Sequence, residues 1–475
     1  MDARDDREAQ GALSEGGTAG AKGAPTTAEG RRSSATSRIK ARGEIRRAAH
    51  EQAREAVDQI RRTTRERLAH VGEASRVTDY IHEHAHEVSD YVIDRRHWFH
   101  AHPEIGYKEV ATTERICAEL DQLGIPYTRP RDTGAVATIR GTAPDAYGKD
   151  GKPRRRLMLR ADIDALPVTE QTGEPFQSQN PGFMHACGHD THVAMLLGAA
   201  KFLTGLTDEL HGEVRLVFQP AEEGGNGSKS MIDCGVLEGV DGVYGTHIWS
   251  DVPAGKISCE AGPRMAATDW WRIDVVGRGA HGAMPNQGAD AVLAGAAIVQ
   301  SLQAIVARNM SPFEPAVVTV GQFHGGTARN VMAGSAWMEG TVRTFHEKAH
   351  KRIPQLMERM AQDTAAAYGC TATLSYEVAH STVVNTPEAS ELAARAATEV
   401  LGPDTLVTYR GSMPGEDFSE YLKRKPGVFV FLGSGTQDKS GKVWPQHSPK
   451  YDPDESVFVR GSMLAAQYAA DFLAQ

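Results

Sequence analysis

Alternating strand and helix patterns constrain the fold of this chain more than any other feature of its sequence. From residue 110 the predicted elements are helices at 110–123 and 190–204 and short apolar strands at 134–140, 156–160 and 213–218. Polar residues follow two of these strands directly, with Asp162 and Asp164 after one and a pair of glutamates after the other. This pattern is typical of an α/β sheet whose site lies at the carboxyl edge of its strands.

A second pattern interrupts the first between about residues 265 and 380. It predicts a strand, a helix, two strands, a helix and a strand, at 270–276, 290–308, 316–323, 335–345, 347–367 and 371–378. The order β-α-β-β-α-β is that of a split, ferredoxin-like unit. Because a buried strand at 428–432 resumes the first pattern, we expect a small domain inserted into a larger, discontinuous one.

The N-terminal part differs from both patterns. Residues 1 to about 45 are poor in large apolar residues, so disorder is expected there. Residues 46–85 are rich in helix formers with few apolar residues, which predicts either a solvated helix or a weak docking arm. The expected organisation is an N-terminal arm, a first part of the large domain, the inserted domain and a second part of the large domain, at 1–85, 86–264, 265–380 and 381–475.

Composition excludes several functional classes. The formal net charge is −9, so no basic surface is expected to attract nucleic acid or a membrane. The five cysteines are scattered and odd in number, which favours a reducing compartment over a disulfide framework. We expect no signal peptide and no membrane span, because neither an apolar leader nor a window of about 18 apolar residues is evident. The expected location is the cytoplasm.

The densest chemical signal is the run from His185 to His192, His-Ala-Cys-Gly-His-Asp-Thr-His. A soft thiolate and several imidazoles are suited to a transition metal, and a carboxylate can complete the charge balance. Glu222 and Glu223 follow about thirty residues later. Since neighbours at the end of a strand point opposite ways, one glutamate can bind metal while the other handles protons. The sequence therefore predicts a hydrolytic metal centre.

Eight segments together resemble the di-metal aminoacylase and carboxypeptidase family. Within it they are similar to the amidohydrolase branch of hippurate hydrolase, bacterial N-acyl-amino-acid hydrolases and plant indole-acetyl-amino-acid hydrolases. The segments are 95–106, 159–167, 184–192, 218–224, 279–285, 340–345, 415–418 and 447–452. Residues 1–85 lie outside this resemblance, so it implies nothing about their role.

The resemblance implies an α/β fold, in which a mixed-sheet di-metal hydrolase domain carries an inserted ferredoxin-like lid and dimerisation domain. It also implies a set of metal ligands, namely Cys187, His189, Glu223, His247 and His447. Glu222 is then the expected general base. Asp162, Asp164 and His192 are expected around the ligands, where they could orient an imidazole. In related enzymes the strand end of Asp162 and Asp164 also supplies a ligand.

In the inserted domain, the residues implied to recognise the substrate are His281, Asn330 and Arg343. In the family such residues hold the substrate carboxylate and help to stabilise the oxyanion, and the histidine often reaches across a dimer. A planar guanidinium such as that of Arg343 suits a free carboxylate. A homodimer through the inserted domain is therefore expected.

The implied activity is that of a metal-dependent amidohydrolase that cleaves N-acyl-amino acids to a carboxylic acid and a free amino acid. Two divalent ions per subunit are expected, as zinc or manganese, with cobalt and nickel also open. A dipeptidase or carboxypeptidase with the same di-metal site is the alternative. A non-catalytic metal-binding scaffold is a third interpretation, but the predicted general base Glu222 argues against it.

Overall fold

A mixed α/β architecture is observed in the computed structural model, which describes residues 44, 47–63, 75–435 and 442–475. Its strands are β1 (Tyr127–Thr128), β2 (Ala135–Arg140), β3 (Arg156–Asp162), β4 (Glu213–Gln219), β5 (Gly242–Pro253), β6 (Ile257–Ser258), β7 (Gly262–Met265), β8 (Ala267–Val276), β9 (Ala280–His281), β10 (Ala316–Gly325), β11 (Val331–Met332), β12 (Ser335–Thr344), β13 (Thr371–His380), β14 (Val383–Asn385) and β15 (Gly427–Gly435).

The predicted helices at 110–123, 190–204, 290–308 and 347–367 are present with shifts of a few residues at their ends, and further helices that were not predicted also occur. The helices are α1 (47–63), α2 (Arg76–Ala101), α3 (Val110–Gln122), α4 (His189–Thr204), α5 (Gly227–Asp233), α6 (Ala291–Ala304), α7 (Glu347–Ala367), α8 (Pro387–Leu401), α9 (Ser419–Leu422) and α10 (Phe458–Leu473). A π-helical turn over Ile305–Asn309 continues α6.

The larger sheet has seven strands in the order β1-β2-β4-β3-β5-β15-β6. The neighbours β4, β3, β5 and β15 run parallel, whereas β1, β2 and β6 pair antiparallel. The sheet is therefore mixed, as expected. Because the central strands are parallel, the carboxyl end of β3 at Asp162 and that of β4 at Gln219 meet at one edge. The predicted site residues follow at this edge.

Four helices bury one face of this sheet. Helices α2, α4, α8 and α10 pack against one another, and both α4 and α10 also contact β3. Alternate residues of β3, namely Leu157, Leu159 and Ala161, belong to the same apolar cluster as these helices. Helix α4 is buried along almost its whole length, so the position of its first residue, His189, is fixed by the core.

A second, four-stranded antiparallel sheet is formed by residues 267–380 in the order β10-β12-β8-β13. Helices α6 and α7 cover one face of it. On β8 the side chains of Trp271, Ile273 and Val275 are buried in the apolar cluster with these helices. Trp270 points to the other face, where it is exposed. Among the described residues, no helix covers this second face of the sheet.

Helix α1 docks along α2. The His50 Nδ1 atom lies 2.6 Å from Asp90 Oδ1, and Val57 and Ile60 are buried in the main apolar cluster. The sequence left open whether residues 46–85 form a solvated helix or a docking arm, and over 47–63 the structure shows docking. The few apolar residues of α1 suffice because they lie on the face that contacts α2.

The expected end of the N-terminal arm at residue 85 falls within a helix. Helix α2 runs through this position without interruption, and Ile81 and Ala85 are fully buried. The end of the predicted arm is thus part of the core. Residues 1–43, for which disorder was expected, lie outside the described residues.

One sequence expectation about membranes needs correction. By length and composition alone, the helical stretch Ala291–Asn309 is apolar enough to cross a membrane. Here this stretch packs on the four-stranded sheet, with Ala291, Ala294, Ile298 and Leu302 in its apolar cluster. Its apolar character therefore has an explanation in the fold.

Candidate metal centre

Three segments of the larger sheet place the predicted metal ligands. Cys187 lies in the loop before α4, His247 lies within β5, and Glu223 follows β4. The loop turns at Gly188, whose φ of 97° is one that glycine adopts without strain. A Cβ atom there would lie 2.5 Å from the side chain of Ile248. The positive φ therefore favours glycine between Cys187 and His189.

The five predicted ligands converge. One group of side chains with ligand atoms within 4.8 Å of one another contains Cys187, His189 and His247, and a second contains Cys187, Glu223 and His447. The Cys187 Sγ atom lies 3.5 Å from His247 Nε2, and His447 Nε2 lies 3.2 Å from Glu223 Oε1. Cys187 belongs to both groups, so a thiolate here could contact two ions.

The imidazoles are oriented as metal ligands require. His247 Nδ1 donates to the carbonyl oxygen of Ile248 at 2.6 Å, which leaves Nε2 directed at Cys187. His189 Nδ1 contacts the carbonyl and carboxylate oxygens of Asp164 at 3.0 and 3.1 Å. Its Nε2 atom is buried and has no hydrogen-bond partner among the described residues. A buried ring nitrogen without a protein partner is a candidate ligand atom for a cation.

Electrostatics distinguish the two buried histidines. Burial lowers the pKa of His247 well below its usual value, so this ring is neutral. Burial also acts to lower the pKa of His189, but the carboxylates of Asp162 and Asp164 outweigh it and raise this pKa to about 10. Negative charge is thus concentrated around His189 Nε2, where a cation would offset it.

The three residues expected around the ligands lie there. His192 Nδ1 contacts Asp162 Oδ1 at 2.6 Å, and His192 Nε2 accepts a hydrogen bond from the Ile248 amide at 3.0 Å. Both nitrogens of His192 are therefore occupied. Asp164 connects two of the predicted ligands, because it contacts His189 and also accepts a hydrogen bond from the Glu223 amide at 2.9 Å.

Sequence reasoning missed the partners of Glu222. Glu222 is buried and groups with Glu416 and Asp417, which lie in the 415–418 motif but were given no role. Arg160 lies between the acidic residues, 2.7 Å from Asp417 and 3.1 Å from Glu416. Burial, followed by the charges of Glu416 and Glu223, raises the pKa of Glu222 well above its usual range. The adjacent acidic residues Glu416 and Asp417 were the feature of the sequence that could have indicated these partners.

Four of the predicted ligands, Cys187, Glu223, His247 and His447, line a cleft of about 790 Å³ between the two sheets. Glu222 lines it from the same side, and the four-stranded sheet contributes Arg343 from β12. Arg343 is half-buried, and among the described residues it donates a hydrogen bond to the neighbouring carbonyl of Val342 at 3.1 Å. Burial lowers the pKa of Arg343, which nevertheless stays a cation. Its guanidinium is thus open to a ligand.

His281 and Asn330 do not line this cleft. They lie on the two-stranded ribbon of β9 and β11, where the Gly282 amide donates to the Asn330 carbonyl at 2.9 Å. Both residues are exposed. Within one subunit the structure therefore brings Arg343 to the cleft but leaves the other two predicted substrate residues on the surface.

Comparison with known proteins agrees with the motifs. Residues 158–471 match the model of peptidase family M20/M25/M40. The chain is 37% identical over 391 residues to thermostable carboxypeptidase 1 of Saccharolobus solfataricus, and this alignment covers 81% of this chain and 96% of that protein. It is 43% identical over 304 residues to the N-acyl-L-amino acid amidohydrolase of Geobacillus stearothermophilus. That alignment covers 64% of this chain and 80% of the relative.

A solved structure shows the same architecture. The Bacillus subtilis YXEP protein, described as a dinuclear metal-binding peptidase of the M20 family, matches with a TM-score of 0.71 and 34% identity. The match covers 82% of this chain and 99% of that chain. The resemblance inferred from the sequence motifs is thereby confirmed. The chain belongs to peptidase family M20/M25/M40.

Proposed function

We propose that this protein is a metal-dependent amidohydrolase that cleaves N-acyl-amino acids to a carboxylic acid and a free amino acid. One observation carries the proposal, namely that a cysteine, three histidines and a glutamate converge beside a second, buried glutamate. The relative named N-acyl-L-amino acid amidohydrolase supports this substrate class. A relative named carboxypeptidase makes cleavage of unblocked peptides the alternative to test.

The donor set fits two divalent cations. Cys187, His189, Glu223, His247 and His447 would hold them, and the shared position of Cys187 in both groups suits a bridging thiolate. Thiolate and imidazole ligands favour zinc, cobalt or nickel, and manganese remains a candidate. When bound, the cations would polarise the amide carbonyl and lower the pKa of a water molecule.

Glu222 would move the proton. It lines the cleft beside the ligands, with its Oε2 atom 3.9 Å from His189 Nε2. As the base it takes a proton from the attacking water, and as the acid it returns this proton to the amine nitrogen when the C–N bond breaks. The raised pKa of Glu222 favours the second half of this cycle, in which the carboxyl group is the proton donor.

Arg343 would bind the free carboxylate of the substrate. Its guanidinium faces the cleft from the four-stranded sheet and forms no ion pair with a described residue. Bidentate hydrogen bonds from arginine to a carboxylate are strong and directional. The scissile amide is then held between the two sheets, with its carbonyl toward the metal ligands.

We further infer the organisation of the chain around this site. Residues 265–380 would form an inserted ferredoxin-like domain that acts as a lid and pairs two subunits. The catalytic parts on either side of it would be 86–264 and 381–475, and the first part would also include the residues of α2 that precede residue 86. The exposed positions of His281 and Asn330 support a role in the partner's cleft. A cytoplasmic location is proposed, where a reducing environment keeps Cys187 as a thiol.

A metal and substrate screen tests the activity. Protein stripped by a chelator should be inactive, and zinc, manganese, cobalt and nickel should each be added back with N-acyl-amino acids and with unblocked dipeptides. We expect hydrolysis of hippurate-like substrates and weak or no hydrolysis of dipeptides. Full activity without metal would contradict the metal requirement, and a clear preference for dipeptides would favour the peptidase alternative.

A further inference from the structure

The cleft-facing side of the four-stranded sheet carries an aromatic and acidic pair that the proposed chemistry does not use. Trp270 on β8 and Glu377 on β13 are direct cross-strand partners, and both line the cleft. Trp270 is 52% exposed although it is the largest apolar side chain on this wall. An indole left open in a substrate cleft offers both apolar area and a π face.

Glu377 forms no ion pair with any residue that the structure describes. Its diagonal cross-strand neighbour Arg272 is the nearest candidate in the register, but that guanidinium contacts Asp274 at 2.8 Å and Glu339 at 2.7 Å. The carboxylate of Glu377 is therefore free to meet a cation in the cleft.

The pair lies at a useful distance from Arg343. Arg343 is the direct cross-strand partner of Thr268, and Trp270 is two residues further along β8. Diagonal neighbours of this kind are about 7–8 Å apart. A lysine or arginine side chain spans a comparable length. An amino acid whose carboxylate is held by Arg343 can thus bring the end of a long side chain to Trp270 and Glu377.

We propose that Trp270 and Glu377 form a specificity subsite for a cationic side chain in the amino-acid half of the substrate. N-acyl derivatives of arginine and lysine are then preferred over neutral ones. This inference rests on the proposed amidohydrolase function and on the placement of the carboxylate at Arg343. The indole face attracts the cation, and the carboxylate of Glu377 pairs with it.

The test compares two substrates of the same shape. N-acetyl-L-arginine and N-acetyl-L-citrulline differ by the charge of the side chain, and kcat and KM are measured for both with the metal-loaded full-length protein. We expect wild type to favour the arginine substrate about tenfold in kcat/KM. The difference should lie mainly in KM, because the contact is remote from the scissile amide.

Three variants locate the effect. In Glu377→Gln the ratio of kcat/KM for the arginine substrate to that for the citrulline substrate should fall to about one. In Trp270→Leu this ratio should fall only in part. Glu377→Lys should instead favour N-acetyl-L-glutamate over N-acetyl-L-glutamine. The matched control is Glu358→Gln, which makes the same change on the exposed side of α7 and should keep the wild-type preference.

The outcomes separate the two proposals. Equal kcat/KM values for the two substrates in wild type, or an arginine preference that survives Glu377→Gln, would overturn the subsite and leave the amidohydrolase function intact. A preference for a cation in the acyl half of the substrate, and not in its amino-acid half, would also overturn the subsite. Failure of the metal-loaded protein to hydrolyse any N-acyl-amino acid would overturn the proposed function, and the subsite with it.

Discussion

The two glutamates that follow β4 are adjacent in the chain but have different surroundings. Glu223 lies beside His447 and donates its amide to Asp164. Burial acts to raise the pKa of Glu223, but the contacts with His447 and His189 outweigh it and lower this pKa. Glu222 instead faces the acidic residues Glu416 and Asp417, and its pKa is raised. Glu223 is therefore suited to binding a cation, and Glu222 is suited to transferring a proton.

This difference gives a prediction for two isosteric variants. Glu222→Gln should fold and retain metal but lose about 10²–10⁴ in kcat, toward the upper end because the group acts twice. Glu223→Gln should lose bound metal, because the amide is a weaker ligand than a carboxylate. Metal content and kcat measured for both variants test the assignment, and exchanged phenotypes would show that it is wrong.

A second prediction concerns Arg343. Wild type should bind N-acyl-amino acids much better than the same compounds with an amidated carboxylate, by about 1.5–3 kcal/mol, since a charged hydrogen bond is lost. In Arg343→Ala this discrimination should largely disappear. Arg352→Ala, at an exposed position on α7, is the control and should discriminate like wild type. If all three proteins discriminate equally between the free and the amidated compounds, Arg343 does not bind the carboxylate.

Strands and helices were predictable where the signal was local. The apolar run of β3, the glutamates after β4 and the dense thiol and imidazole run before α4 each lie within a few residues. The sequence left the docking of α1 open, because its contacts lie outside the local pattern, as with Arg61, which donates to the His82 carbonyl at 2.6 Å. Nor could Arg160, a strand residue in sequence, be recognised as the cation that contacts Glu416 and Asp417.

The docking of α1 should depend on pH. The hydrogen bond of His50 to Asp94, with that to Asp90, outweighs burial and raises the pKa of His50 above 6.5. Stabilisation by the protonated ring is therefore complete below about pH 6.5 and is lost as pH rises through the higher folded-state pKa. Hydrogen exchange over residues 47–63 should be slower at pH 6 than at pH 8.5, after correction for intrinsic rates.

A variant identifies the source of this effect. His50→Gln keeps a polar side chain but cannot titrate, so α1 should exchange faster at pH 6 and show a weaker pH dependence. Nearby charged groups are Arg54, which contacts Asp90 at 2.6 Å, and the pair of His86 with Asp58 at 3.0 Å. An unchanged pH dependence in His50→Gln would show that His50 is not its source.

In the molecule as a whole, the proposed active site is divided between two sheets and, by our proposal, between two subunits. His281 and Asn330 are exposed on the β9–β11 ribbon and do not reach the cleft of their own chain. If they complete the partner's site, His281→Ala and Glu222→Gln are each inactive alone. Mixing them should restore activity, because each heterodimer contains one site with both residues intact.

The control for this mixing experiment is a proof of exchange. Differently tagged subunits should be co-purified from the mixture, so that heterodimers are known to be present. Activity should then rise toward about a quarter of wild type, if subunits mix at random and half of the molecules each carry one intact site. Absence of any rescue in a mixture with proven exchange would place His281 in its own subunit or outside catalysis.

The position of β15 between β5 and β6 has a consequence for synthesis of the chain. Strand β5 ends at Pro253, whereas its parallel neighbour β15 begins at Gly427. At a translation rate of about 5–20 residues/s, the ribosome takes roughly 9–35 s to make the chain between them. During this time β5 is an open sheet edge that exposes unpaired backbone groups. The nascent protein is thus most open to misassembly, and most in need of a chaperone, before its last strand emerges.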